Sequence, residues 1–146
     1  MEKLKYEIVV KIFNDSELES YNELTKHAIL LVYSLSDESS FKPIRDKEST
    51  ILKAVSSSEV PVVLVANKVD EATLSRQVQE EDGKKAANEL NFLDFFETAA
   101  TCNRNVQKAF TRLIEECLKK NPEISDAAKK RSSKCAVMWN AALRII

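Results

Sequence analysis

A single glycine, Gly83, stands among 146 residues. A loop that cradles phosphates turns several backbone N–H groups inward, in conformations that glycine reaches freely and other residues resist. Neither G-x-x-x-x-G-K-[ST] nor G-x-G-x-x-G can be written anywhere in these residues, so both common phosphate-binding signatures are excluded from them. No run of about 18 apolar residues occurs, and no transmembrane helix is expected. The opening MEKLKYEIVV is charged, and its apolar part is too short for a secretory signal. Three cysteines, Cys102, Cys117 and Cys135, lack metal-ligand spacing. Their odd number, without a signal, predicts reduced thiols and a cytoplasmic protein. A net charge of −1 offers no whole-chain attraction for nucleic acid, and none is expected as a partner. The one histidine, His27, has no evident acid or nucleophile partner, so it carries no catalytic assignment.

What remains is an ordinary globular mixture, with 44% hydrophobic and 31% charged residues. One domain of this size can bury about 70% of its unfolded surface. Residues 6–13, YEIVVKIF, are rich in β-branched and aromatic side chains and predict a strand. Residues 14–16 predict a turn or cap, followed by a short helix to about residue 26. Residues 28–35 and 60–66 are solid apolar runs, as strands buried on both faces should be. Phe41, Ile44, Ile51, Leu52 and Val55 recur at helical spacing after the capping pair Ser36-Asp37, with Pro43 near the first turn. Residues 70–76 predict a polar loop, 78–90 a helix, 92–96 a short strand, and 106–120 an amphipathic helix stopped by Asn121-Pro122. Solidly apolar strands alternating with helices imply an α/β fold, a mostly parallel doubly wound sheet.

In such a sheet, ligands bind beyond the carboxyl ends of the strands. Asn67-Lys68-Val69-Asp70 follows the strand VVLVA and is placed to do so. An Asp carboxylate accepts from both N1–H and the exocyclic amine of guanine, a pattern adenine lacks. An Asn amide can tie the loop to its neighbours and meet N7, and a Lys stem can lie along the ring. Glu97-Thr98-Ala99-Ala100-Thr101 follows the next strand, where a backbone N–H can reach O6.

These residues carry a family resemblance. From about residue 28 to 120, nearly two-thirds of the chain, the sequence resembles the second half of a Ras-family small GTPase. HAILLVYSLSDESSF is similar to the family's fourth strand and following helix, ANKVD to its N-K-x-D motif, FFETAAT to its E-T-S-A-K motif, and NVQKAFTRLIEECLKK to its last helix. The resemblance implies a Ras-like, P-loop-type sheet, truncated on its N-terminal side. It implies base contacts by Asn67, Lys68 and Asp70, an N–H from Ala100 to O6, and Ala99 where the family has a loop-bracing Ser. Thr101 replaces the family's Lys, which covers the ring. Residues 6–13, YEIVVKIF, match the family's third strand, with D-x-x-G absent from NDSELESYNEL; alternatively residues 5–10, KYEIVV, resemble its first strand, with Lys11 at the first loop glycine. The family's first strand lies between its third and fourth. Without it, the strands at 6–13 and 28–35 must pair across a gap or leave apolar edges bare.

Phosphate contacts are charge-assisted hydrogen bonds of about 1.5–3 kcal/mol each. Without them, about ten base atoms at ~0.3 kcal/mol each supply roughly −3 kcal/mol, so GTP or GDP is expected to bind at millimolar strength or weaker. Hydrolysis needs magnesium, a phosphate-binding lysine and a placed water. No catalytic residue and no magnesium or other metal ligand can be assigned. The expected function is a degenerate Ras-like signalling protein, a pseudoGTPase-like module that contacts effector-type or regulator-type proteins. The alternatives are a GTP-hydrolysing switch of which this is an incomplete isoform or gene model, and a non-functional fragment.

Two domain segments are expected: residues 1–120 as the truncated Ras-like domain, and 121–146 as a basic tail. KKRSSKCAVM resembles Ras-family C-termini, with Cys135 opening an internal C-a-a-X-like CAVM. Its basic residues would add roughly 1 kcal/mol each at an anionic membrane, such as the inner face of the plasma membrane. Because WNAALRII follows Met138, Cys135 reads as an ancestral prenylation site that is unmodified in this chain. The other reading of the tail is an amphipathic helix, with Cys135, Met138, Trp139, Ala142, Leu143 and Ile146 along one stripe.

Overall fold

In a computed structural model, described for residues 7–13, 28–47, 52, 59–122 and 138–145, five parallel strands form one sheet in the order β1-β5-β2-β3-β4. The strands are β1 (Glu7–Phe13), β2 (Ala28–Ser34), β3 (Val62–Asn67), β4 (Asp94–Glu97) and β5 (Met138–Ile145). The α/β class and the parallel sheet are as expected from the sequence.

The two solid apolar runs became β2 and β3 because both of their faces are covered. Successive strand side chains point to opposite faces. Ile29, Leu31, Tyr33, Val62, Leu64 and Ala66 meet Phe41, Ile44, Leu52, Val78, Ala86 and Ala87 on one side. On the other, Ala28, Leu30, Val32, Val63 and Val65 meet Ala109, Leu113 and Cys117. The second set of partners recurs every four residues along α4 (Val106–Lys120), which puts them on one helical face. Burial there pushes the Cys117 thiol up to about 11, against a smaller lowering by a hydrogen bond with Asn121.

The helical spacing from Phe41 to Val55 does not mark one continuous helix. α1 (Glu38–Arg45) starts at Asp37, whose carboxylate accepts from the Ser39 amide at 3.0 Å, a cap worth about 1 kcal/mol. Pro43 lies in its second turn, and the helix closes at Asp46, with Lys47 left-handed at φ 57°. Leu52 is again helical and buried, and the residues on either side of it lie outside the described set. Part of the expected loop at 70–76 is a single helical turn, α2 (Ala72–Ser75), and the helix expected at 78–90 spans Glu80–Glu89, as α3.

The lone glycine serves packing. Gly83 is buried in α3, and a Cβ there would lie 2.5 Å from Phe95 Cε2 and 2.6 Å from Tyr33 Oη.

The gap that the sequence left between its first two strands is filled. β5 pairs with β1 from Glu7↔Met138 to Phe13↔Arg144, and with β2 from Ala28↔Ala141 to Val32↔Ile145. β1 and β2 therefore do not meet, and the edges they turn towards each other are both paired with β5. The amphipathic-helix reading of the tail is corrected for these residues: two unpaired strand edges are a template for backbone hydrogen bonds, and this outweighs the helical preference of Ala and Leu. Because β5 holds the place beside β2, β1 occupies the position of the family's third strand, and the first-strand reading of residues 5–10 does not fit. The short helix expected before residue 27, His27, the NDSELES stretch, the basic run and Cys135 lie outside the described residues.

Candidate functional site

β3 and β4 deliver two loops side by side at their carboxyl ends. Asn67 is the last residue of β3 and half-buried; its carbonyl accepts from Leu35 N–H at 2.9 Å, tying the loop to the end of β2. Lys68 is exposed and left-handed, with φ 70°, which turns the chain sharply out of the strand. Val69 N–H then donates to the Thr98 carbonyl at 3.0 Å, and Thr98 N–H to the Ala66 carbonyl at 2.8 Å. The two sequence stretches NKVD and ETAAT are thus joined through their backbones.

Side chains join them again. Asn67 Oδ1 accepts from Thr98 Oγ1 at 3.1 Å and from the Ala100 N–H at 3.3 Å. Asp70 Oδ2 accepts from Thr101 Oγ1 at 2.5 Å. That hydroxyl, more than any other group, holds the exposed Asp70 carboxyl below the usual aspartate range, with backbone amides and Lys68 adding to the effect and desolvation opposing it. The second loop is stiffened from behind. Ala99 is fully buried and bridges Arg104 in both directions, at 3.2 and 3.0 Å. Asn105, left-handed at φ 56°, donates from its side chain to the Glu97 carbonyl at 2.9 Å. Arg76 grips both oxygens of Glu97, at 2.7 and 3.1 Å, in a largely buried pair.

The structure therefore brings Asn67, Lys68, Asp70, Ala99 and Ala100 into one loop pair. Asn67 is chiefly a brace, since its Oδ1 serves Thr98 and Ala100 and leaves the Nδ2 hydrogens for an acceptor such as N7. The Ala100 N–H, assigned to O6 by resemblance, is aimed at Asn67 at a long 3.3 Å. The donors and acceptors fit a guanine base: an ionised, exposed carboxylate for two adjacent N–H groups, an amide, and a weakly engaged backbone N–H. Sequence reasoning missed the bracing by Thr98, Arg76 and Asn105. Arg76 and Glu97 are too far apart in the chain for any spacing rule to pair them.

A parallel sheet covered on both faces, with paired loops beyond the carboxyl ends of adjacent strands, defines a doubly wound ligand-binding domain. The model of the Ras family matches residues 13–119, and the chain belongs to that family. Members of the family bind guanine nucleotide. The chain is 33% identical over 130 residues to mouse Ras-related protein Rab-15, covering 85% of this chain and 60% of the relative. It is 34% identical over 110 residues to mouse GTP-binding protein Rit1, covering 75% of this chain and 49% of that protein. With human Rab-15 the identity is 32% over 130 residues, again 85% of this chain and 60% of the relative. The chain thus spans only half to three-fifths of the length of these curated relatives.

Proposed function

We propose that this chain is a degenerate Ras-family signalling module, a pseudoGTPase-like protein that reads guanine weakly and does not hydrolyse GTP. The observation that supports this reading is the intact junction of NKVD with ETAAT, in a sequence whose one glycine sits in a helix rather than in a phosphate loop. In it, Asp70 accepts from the guanine N–H groups, Asn67 braces the loop pair, the Lys68 stem lies along the ring, and Ala100 N–H meets O6. Ala99 packs beneath them. Base contacts alone leave affinity at roughly −3 kcal/mol, the millimolar range. Its work is then done by contacts with effector-type or regulator-type proteins, and the basic residues Lys129, Lys130, Arg131 and Lys134 suit an anionic membrane surface.

A second reading has an observation of its own. Because the chain spans 49% of Rit1 and 60% of Rab-15, it is also suited to be part of a GTP-hydrolysing switch whose phosphate and magnesium groups lie in sequence absent here.

Thermal unfolding of the purified chain with millimolar GDP and magnesium, with ADP as the control, tests the first reading. A ligand that binds only the native state raises the midpoint by mass action. The expected result is a small rise with GDP, none with ADP, and no GTP turnover in a parallel assay. An equal response to the two nucleotides would remove the guanine-reading role. Measurable turnover would establish the second reading instead. The absence of any cooperative transition would mark a non-functional fragment.

A further inference from the structure

Asp70 lies on an exposed loop, where an Asp side chain turns freely about two bonds. Accepting two adjacent N–H groups of a flat base requires its carboxylate plane to be set beforehand. Among the described residues, one side chain does this: Thr101, whose hydroxyl donates to Asp70 Oδ2 at 2.5 Å. That length belongs to charge-assisted O–H···O⁻ bonds, the stronger class.

Thr101 is itself well held. It lies in the 3-10 turn Ala100–Cys102, which is closed by Asn103 N–H to the Ala100 carbonyl at 3.4 Å, with Asn103 left-handed at φ 56°. The Ala99–Arg104 bridge anchors the turn's entry. Threonine's branched Cβ restricts χ1, so the hydroxyl is aimed before any ligand arrives. Ala99, buried two residues earlier, has no hydroxyl to contribute.

We propose that Thr101 is the positioning residue for Asp70, holding the carboxylate in the orientation that accepts the N1–H and exocyclic amine of guanine. This rests on the guanine-reading function proposed above. Thr101 stands where the resemblance led to a lysine covering the ring. The hydroxyl acts at the edge of the base through Asp70 and touches no ring face. Oδ2 keeps a lone pair for the base while it accepts from Thr101.

The test uses the full chain as wild type, Thr101→Ala and Thr101→Ser. GDP and ADP are titrated against backbone amide signals of the 67–70 loop, and the Asp70 carboxyl is titrated with acid by carbon NMR. Loss of one positioned hydrogen bond predicts roughly fivefold weaker GDP binding by Thr101→Ala, with Asp70 titrating nearer an ordinary aspartate. Thr101→Ser should restore both. Because Thr101 is exposed and its truncation leaves no cavity, all three proteins should still unfold cooperatively without nucleotide, with Thr101→Ala lowered by no more than the loss of this one surface bond. If Thr101→Ala binds GDP as wild type does, or if Thr101→Ser fails as badly as Thr101→Ala, the positioning role is overturned while guanine reading stands. If wild type itself does not distinguish GDP from ADP, guanine reading falls and takes the proposed role with it. The acid titration would then report only whether the Thr101–Asp70 bond exists.

Discussion

At Gly83, two residue-scale effects oppose each other. Alanine is the better helix former by about 1 kcal/mol. Its Cβ, however, would lie 2.5 and 2.7 Å from two atoms of the Phe95 ring and 2.6 Å from Tyr33 Oη. Overfilling a packed site costs about 1–3 kcal/mol. Tyr33 has little room to yield: its hydroxyl is buried without a hydrogen-bond partner among the described residues, its ring lies 4.7 Å from that of Phe41, and burial drives its phenol well above the ordinary range. Gly83→Ala should therefore lower stability by about 1 kcal/mol or more in denaturant unfolding; an unchanged or raised midpoint would show that the rings move aside. Asp70 yields a residue-scale prediction in pH. Its folded carboxyl is depressed, chiefly by the Thr101 hydroxyl. Whatever depends on the ionised form is thus present above the unfolded value and lost as pH falls through the lower, folded one. GDP binding read by NMR should be flat from about pH 8 to about pH 5 and fade only below the ordinary aspartate value of about 3.9. A midpoint near pH 6 would assign the proton to another group.

At the scale of elements, β5 decides the most. It is paired on both sides, with β1 along seven residue pairs and with β2 along five. A strand so placed has no free edge on which a proline could sit. Ala142 is paired with Lys11 on one side and Ile29 on the other, so Ala142→Pro should remove a ladder bond at a cost on the order of 3 kcal/mol, a large part of a small domain's stability. Hydrogen exchange would show lost amide protection through β1 and Ile29–Leu31 alike. If protection in β2 survives the substitution, β5 is not what completes the sheet. The same strand begins at Met138, so Met138–Ile145 form part of the sheet.

At the scale of the whole molecule, each part of the fold was readable to the extent that its cause is local. AILLVYS and VVLVA announce strands buried on both faces, because no exposed arrangement suits so continuous an apolar run. Ala109, Leu113 and Cys117 announce the buried face of α4 through their spacing. NKVD and ETAAT announce a loop pair because each follows a strand. The sequence by itself determined the α/β class, the parallel sheet and the family, and it set Asn67, Lys68, Asp70, Ala99 and Ala100 on loops that follow strands. Only the tertiary structure decided the rest. MWNAALRI carries alanine, leucine and an apolar stripe that suit a helix, and it became a strand because two distant edges needed a partner. Thr101 and Asp70 are 31 residues apart, as are Asn67 and Thr98; Arg76 and Glu97 are 21 apart. Periodicity and capping act over a few residues along the chain, whereas these bonds exist only after parallel strands have brought their loops together.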